Sequence, residues 1–486
     1  MTIEYTSATT LVQQIRTGHL SPVDILDDLF DQIASHDENI NAFTYLCKND
    51  AYDAAREAEQ AINRGEAFGR LHGVPVAIKD LDTPVEGAPM TCGSVPLKDN
   101  IAKEDCLLVE RLKEAGAIVL GMTNVPEFGH KGTTDNPLHG TTVTPFDTDR
   151  IAGGSSGGSA AALAAGMTPL AIGSDAGGSI RIPSSACGVV GLMPSFGLVP
   201  FDARPDALEP HTPFTALGPL ARSVEDIALV LDVISGWHPA DPFSVPKPTD
   251  DFVAATRRGG EDLSIQYSPN LGDFPVTKTV RETTDDAIAA LEAAGTSVTR
   301  QDPDFKHDYQ TMLEAWEEGF KLLLSSLPDK VEHDTDIDLL ENHQDELSPQ
   351  FIKYIKAGLK QKSSEFKRAD MVRTDVYETV TTILSDHDIL ATPTLAVPPF
   401  DADIDGPTEV DGQAIDPYFG WPLTWVFNLT GHPVLSVPAG VTNEGLPVGI
   451  QLVGQRFDDS TVLAAGATLE RINPWANTYP PDGINS

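Results

Sequence analysis

The chain has 486 residues, 72 acidic against 33 basic, with a formal net charge of −39 and an isoelectric point near 4.4. A surface this negative repels nucleic acid and anionic membrane. Four cysteines without a C-x-x-C pair (Cys47, Cys92, Cys106 and Cys187) exclude a disulfide scaffold and a cysteine zinc site, and fit a reducing cytosol. The acidic residues are dispersed: Asp24, Asp27, Asp28 and Asp31, then Asp334, Asp336 and Asp338, then Asp401, Asp403 and Asp405. Such dispersal marks a haloarchaeal-type surface, whose self-repulsion is screened in molar salt, where the Debye length is about 3 Å. An acidic protein made for one cationic partner would carry one patch instead.

In chain order, Ser21-Pro22-Val23-Asp24 reads as a helix cap, with Ile25, Leu29 and Ile33 on one face behind it. The opening Met1-Thr2-Ile3-Glu4 lacks the basic start of a secretory signal, so a cytoplasmic location is expected. Val74 to Lys79 reads as a strand. An amphipathic helix follows through Leu107, Leu108 and Leu112 to a stop at Gly116, and the strand Ala117 to Leu120 comes next. Ala160 to Ala165 reads as a short buried helix and Pro169 to Gly173 as a buried strand. The apolar run from 160 to 173 contains Pro169 and falls short of the ~20 residues of a membrane helix. Helices are expected over 222–234, 281–294, about 310–326, about 346–386 and near 460–472, with strands at 389–393, 434–437 and 448–453. This alternation predicts an α/β fold, one large domain over 1–486, with about 300–386 as a peripheral helical insertion. Its core is a central mixed β-sheet covered by helices on both faces.

The chemistry concentrates in two Gly/Ser segments, Gly153-Gly154-Ser155-Ser156-Gly157-Gly158-Ser159 and Gly173-Ser174-Asp175-Ala176-Gly177-Gly178-Ser179-Ile180-Arg181. A phosphate-binding Walker loop is excluded, because Ser159 stands where its lysine must be. A hydrolase nucleophile elbow, G-x-S-x-G, matches twice, around Ser155 and around Ser156. It needs a strand immediately before it, and Pro145 to Arg150 reads as loop. The third option is a serine activated by a lysine. Strand side chains alternate, so Lys79 and Asp80 point apart. A lysine without a counter-ion in apolar surroundings loses proton affinity. To act near neutral pH it must fall about 3 units, at a cost of about 4 kcal/mol. It can then serve a serine without any histidine. Taken singly, Ser155, Ser156 or Ser179 could be helix caps, and Lys79 a snorkelling surface lysine. Ser364 and Lys367 form an S-x-x-K match that reads as a solvated helix face, and Cys187 reads as packed core.

Together the blocks Gly73-Val74-Pro75-Val76-Ala77-Ile78-Lys79-Asp80, Gly153 to Ser159, Gly177-Gly178-Ser179-Ile180-Arg181-Ile182-Pro183 and Cys187-Gly188-Val189-Val190-Gly191-Leu192 resemble the amidase signature family. The resemblance runs from Leu20-Ser21-Pro22 to Gly445-Leu446-Pro447-Val448-Gly449-Ile450-Gln451-Leu452. It implies that Ser179 is the nucleophile. Ser155, following a cis peptide bond, would bridge Ser179 to Lys79, the terminal base. The N–H groups of Ala176, Gly177, Gly178 and Ser179 would form the oxyanion hole, with Asp175 and Arg181 supporting the turn. By position Gly129, His130 and Lys131 are candidates for the acyl pocket, and Trp421, Trp425 and Phe427 for apolar walls or core. The resemblance further implies a small-molecule amide substrate, a homodimer, and neither cofactor nor metal. Within the family, the alternative is the glutaminase component of a tRNA-dependent amidotransferase, whose loop usually reads Asp-Glu-Phe-Ala-Met-Gly-Ser-Ser and whose later block reads Gly-Leu-Lys-Pro. This chain has Pro126-Glu127-Phe128-Gly129-His130-Lys131-Gly132-Thr133 and Gly191-Leu192-Met193-Pro194, which favour a stand-alone amidase. An inactive binding module of the same fold is the remaining alternative, opposed by the intact Lys79, Ser155 and Ser179.

Overall fold

Ser21 caps the helix Pro22–Ile40 by accepting the Val23 N–H, and Ile25, Leu29 and Ile33 are buried on its inner face, as their spacing predicts. This computed structural model describes residues 3–66, 69–248, 251–260 and 262–479. An 11-stranded sheet runs through it in the order 43–46, 118–123, 75–79, 170–175, 216–221, 190–193, 434–441, 447–453, 389–393, 264–267, 297–300. The strands Pro75–Lys79, Ile118–Thr123 and Leu170–Asp175 are parallel neighbours and buried throughout, which explains why each is apolar up to its polar end at Lys79, Thr123 and Ser174-Asp175. Ala216–Ala221 closes antiparallel on Leu170–Asp175, and the sheet is therefore mixed. Helices flank it. Gly157–Ala164 is buried along its whole length, and its Gly158 lies where a Cβ would come 2.4 Å from the Asn124 backbone nitrogen.

Three expectations change. The helix placed at 310–326 runs over Tyr309–Thr335, because Pro328 is accommodated inside it. The stretch 346–386 is two helices, Pro349–Gly358 and Ser363–Asp386. Trp316, Phe320 and Leu324 of Tyr309–Thr335 share one buried apolar cluster with Trp425 and Phe427. Finally, Pro145 to Arg150, read as loop, holds most of the strand Asp147–Ile151, which pairs with Val143–Thr144 in a two-stranded ribbon outside the main sheet. Among the described residues no helix is long and apolar enough to cross a membrane.

Candidate active site

The parallel register of Pro75–Lys79 on Leu170–Asp175 sets Ile78 against Ile172, so Lys79 and Ser174 leave the sheet at the same edge. Lys79 is fully buried. Its Nζ lies 2.7 Å from Ser155 Oγ, 2.8 Å from Ser174 Oγ and 3.4 Å from the Ser174 carbonyl oxygen. Burial lowers its pKa from 10.5 to about 8, while the facing carboxylates of Asp82 and Asp175 oppose the fall. Asp80 points the other way and accepts the Thr91 N–H and hydroxyl, as strand alternation predicts.

The first glycine segment delivers Ser155 to this lysine. The Gly154–Ser155 peptide bond is cis. Gly153 has φ +73°, and a Cβ there would sit 2.9 Å from Pro183 Cα. The neighbouring Ser156 N–H is donated to the Ser179 carbonyl, which ties the two segments together at 3.0 Å. Ser156 occupies the N-cap position of Gly157–Ala164, but its side chain makes no capping bond.

The second segment turns sharply after Asp175. Gly178 has φ +122°, and a Cβ there would fall 1.9 Å from Thr424 Oγ1. At Gly177 a Cβ would fall 2.4 Å from the Trp316 ring. Trp316 Nε1 and Thr424 Oγ1 donate to the carbonyls of Ala176 and Gly177, at 3.0 Å and 2.7 Å. Asp175 accepts the Gly178 N–H at 2.8 Å and the Ile180 N–H at 3.2 Å. The Gly178 donor, expected in the oxyanion hole, is therefore already committed. The Ala176, Gly177 and Ser179 N–H groups make no hydrogen bond among the described residues. Nor does the Ser179 side chain, which is partly exposed.

Beneath the turn, Arg181 and Asp175 form a fully buried bidentate pair at 3.0 Å and 2.9 Å. The guanidinium also donates to the Thr424 carbonyl, Gln451 and Asn428. Burial would raise the Asp175 carboxyl, but the Arg181 charge and the hydrogen bonds outweigh it and hold the group low.

A cavity opens over these groups. It is lined by the polar groups of Ser155, Ser174 and Ser179, by Ala176 and Gly177, and by the apolar side chains of Trp316, Phe320, Leu323, Leu324, Leu327 and Phe419. Gly129 and Lys131 line it as well. A Cβ on Gly129, at φ +69°, would approach Ser155 Oγ to 3.3 Å. Lys131 Nζ is held by Asp135 at 2.8 Å and Asp405 at 3.2 Å. His130 is not on the cavity: it is buried, its Nδ1 faces the Glu127 carbonyl at 2.7 Å, its ring meets Phe351, and burial lowers it to about 4. Trp421, Trp425 and Phe427 are fully buried core. Cys187 is packed core, and Lys367 is solvated and paired with Asp370. The sequence reading missed Ser174, Asp82 and the apolar wall of Tyr309–Thr335. The wall alone carried a signal, the i, i+4, i+8 recurrence of Trp316, Phe320 and Leu324. Among the described residues no cluster of three or more His, Cys, Asp or Glu could hold a metal.

A model of the Amidase family matches residues 24–463. The chain is 36% identical to an acylamidase of Rhodococcus erythropolis over 99% of its length and 98% of the relative's. It is 32% identical to a component of the glutamyl-tRNA(Gln) amidotransferase of Chloroflexus aggregans, over 99% of each chain. Its structure superposes on a crystal structure of a bacterial aryl acylamidase with a TM-score of 0.93 and 34% identity, covering 98% of both chains. The chain belongs to the amidase signature family and hydrolyses amide C–N bonds.

Proposed function

We propose that the protein is a stand-alone amidase that forms its acyl-enzyme on Ser179. In this mechanism Ser179 Oγ attacks the amide carbonyl and passes its proton to Ser155, which passes its own to the neutral amine of Lys79. The oxyanion is stabilised by the N–H groups of Ala176, Gly177 and Ser179, the donors of the turn with no other partner among the described residues. Lys79, now an ammonium, returns the proton through Ser155 to the departing amine or ammonia. Water then enters, is deprotonated along the same path, and releases the acid.

The observation that carries this reading is a fully buried lysine, its pKa lowered to about 8, 2.7 Å from Ser155 in a cavity that also contains Ser179. The apolar wall of Trp316, Phe320, Leu324 and Phe419 favours an aryl or alkyl acyl group over glutamine, whose α-ammonium and α-carboxylate would lose hydration there. The 126–133 loop and the Gly191-Leu192-Met193-Pro194 block, which both depart from the amidotransferase pattern, support the same choice. A fluorophosphonate probe tests the assignment, with the adduct mapped by mass spectrometry. An adduct on Ser179 that is slowed in Lys79→Ala supports it. An adduct on Ser155 or Ser156 that is indifferent to Lys79 refutes it. Ammonia release from glutamine at a rate above that from simple anilides would favour the amidotransferase alternative.

The net charge of −39 supports work in a haloarchaeal-type, salt-rich cytoplasm, and the family resemblance supports a homodimer. Sedimentation in molar KCl tests the dimer, and a single monomeric species would remove it.

A further inference from the structure

We propose that Asp82 is a positioning residue that, through Ser174, turns the lone pair of neutral Lys79 toward Ser155. The proposal rests on Lys79 being the terminal base, and its argument is one of donor counting.

As an ammonium, Lys79 has three N–H donors. Three acceptors surround it: Ser155 Oγ, Ser174 Oγ and the Ser174 carbonyl oxygen. The neutral amine keeps two donors and gains one lone pair, so one of the three neighbours must supply a proton. The carbonyl has none. Ser174 has one, but its hydroxyl is donated to Asp82 Oδ2 at 2.7 Å, and a carboxylate can only accept it. Ser174 Oγ is thereby an acceptor toward Lys79. Only Ser155 is left to donate, and its Oγ–H lies on the lone pair. The lone pairs of Ser155 are then free to accept the proton of Ser179. The carboxylate thus sets the direction of the first proton transfer from two hydrogen bonds away.

Asp82 sits three residues beyond Lys79, on the left-handed backbone at φ +66°, and lines the cavity beside Ser174. Without an acceptor at position 82 the Ser174 hydroxyl can rotate and donate to Lys79, in competition with Ser155. The charged groups around the pair are defined. Asp82 and Asp175 face Lys79, beside the Cys92 thiol, which burial keeps neutral, and Arg181 pairs with Asp175. Lys330 faces Asp82 and is itself paired with Glu209 at 3.1 Å. Of these, Asp82 is the strongest influence raising Lys79.

The test uses the full chain hydrolysing an anilide at several pH values. Asp82→Gly removes the acceptor and suits the left-handed backbone. It should lower kcat by about tenfold or more, with KM within about twofold. Asp82→Asn keeps an acceptor oxygen and tolerates the same backbone. It should recover most of kcat while its acid limb moves to lower pH, because the charge that raised Lys79 is gone. Ser174→Ala removes the acceptor of one Lys79 N–H and leaves that N–H to turn toward Ser155, so it should also lower kcat, and adding Asp82→Gly to it should cost nothing more. Asp82→Gly at wild-type kcat overturns the proposal, as does an equal loss in the presence and absence of the Ser174 hydroxyl. Activity persisting in Lys79→Ala or Ser179→Ala would instead overturn the relay itself.

Discussion

The acid limb of the pH–rate profile tests the buried lysine most directly. In the proposed mechanism Lys79 works as a base only when neutral, and burial lowers its pKa from 10.5 to about 8. At pH 7 a lysine of that kind is neutral in about one molecule in ten, against about one in three thousand for an ordinary lysine. Burial therefore raises the working fraction about 300-fold, worth about 3 kcal/mol. The expected kcat/KM for an anilide is flat above about pH 8 and falls about tenfold per unit below it, to about one hundredth of the plateau at pH 6. The sign for stability is opposite to that of an ordinary paired cation. Below pH 8 the fold must bury a charge that the unfolded chain solvates freely, so the Lys79 contribution improves as pH rises from about 8 to about 10.5. Asp80 and Asp459, raised by burial to about 7 and about 6, titrate in the same range as the acid limb. Each rate is thus measured at fixed molar salt with circular dichroism on the same sample. A flat rate from pH 9 to pH 5 in folded protein would refute the role of Lys79.

Arg181→Met should strand the Asp175 carboxylate in a fully buried site, lowering stability by about 3–5 kcal/mol in denaturant titrations at constant salt and abolishing turnover. Gly178→Ala meets both a left-handed backbone and Thr424 Oγ1 at 1.9 Å, so crystallography should show the 176–179 turn displaced, with turnover lost. Filling the cavity with Leu324→Trp should raise KM for long-chain anilides and leave acetanilide turnover nearly unchanged, read from a substrate-length series. Raising KCl from about 0.1 M to about 3 M should raise the melting temperature, because screening of the net −39 charge outweighs any loss of surface ion pairs.

Apolar runs made some of the buried strands legible, as at Val76-Ala77-Ile78, but not Val190–Met193 and Ala216–Ala221, whose glycines and short length hid them, and capping chemistry made Pro22–Ile40 legible from Ser21. Tyr309–Thr335 was legible only in part, because Pro328 ordinarily ends a helix and here does not. At the site, the residues whose chemistry is rare in their setting stood out: a lysine on an apolar strand and glycines packed against serines. Asp82 and Ser174 did not, since an aspartate and a serine are common and their meaning lies in whom they touch. His130 misled for the converse reason. Its loop reaches the cavity, but the side chain packs against Phe351 instead, and no spacing rule fixes which way a loop residue turns. The Gly178 N–H misled because Asp175, three residues earlier, folds back to claim it.

A base that begins each cycle neutral and ends the first step charged needs both states within reach, and burial alone would not allow it. In this protein His432 shows the contrary case: with no carboxylate to oppose them, burial and then the Arg456 charge lower its pKa from 6.5 to about 3, and it is neutral at every working pH. Lys79 is at least as buried, but Asp82 and Asp175 pull upward, and three oxygen acceptors match the three N–H groups of the ammonium. The apolar strand makes the lysine a base, and the carboxylates at the strand ends keep it one that can still accept a proton. Both influences arise where Pro75–Lys79 and Leu170–Asp175 end side by side, which puts the proposed proton relay at the carboxyl edge of the parallel strands, the edge at which open α/β sheets place their ligands.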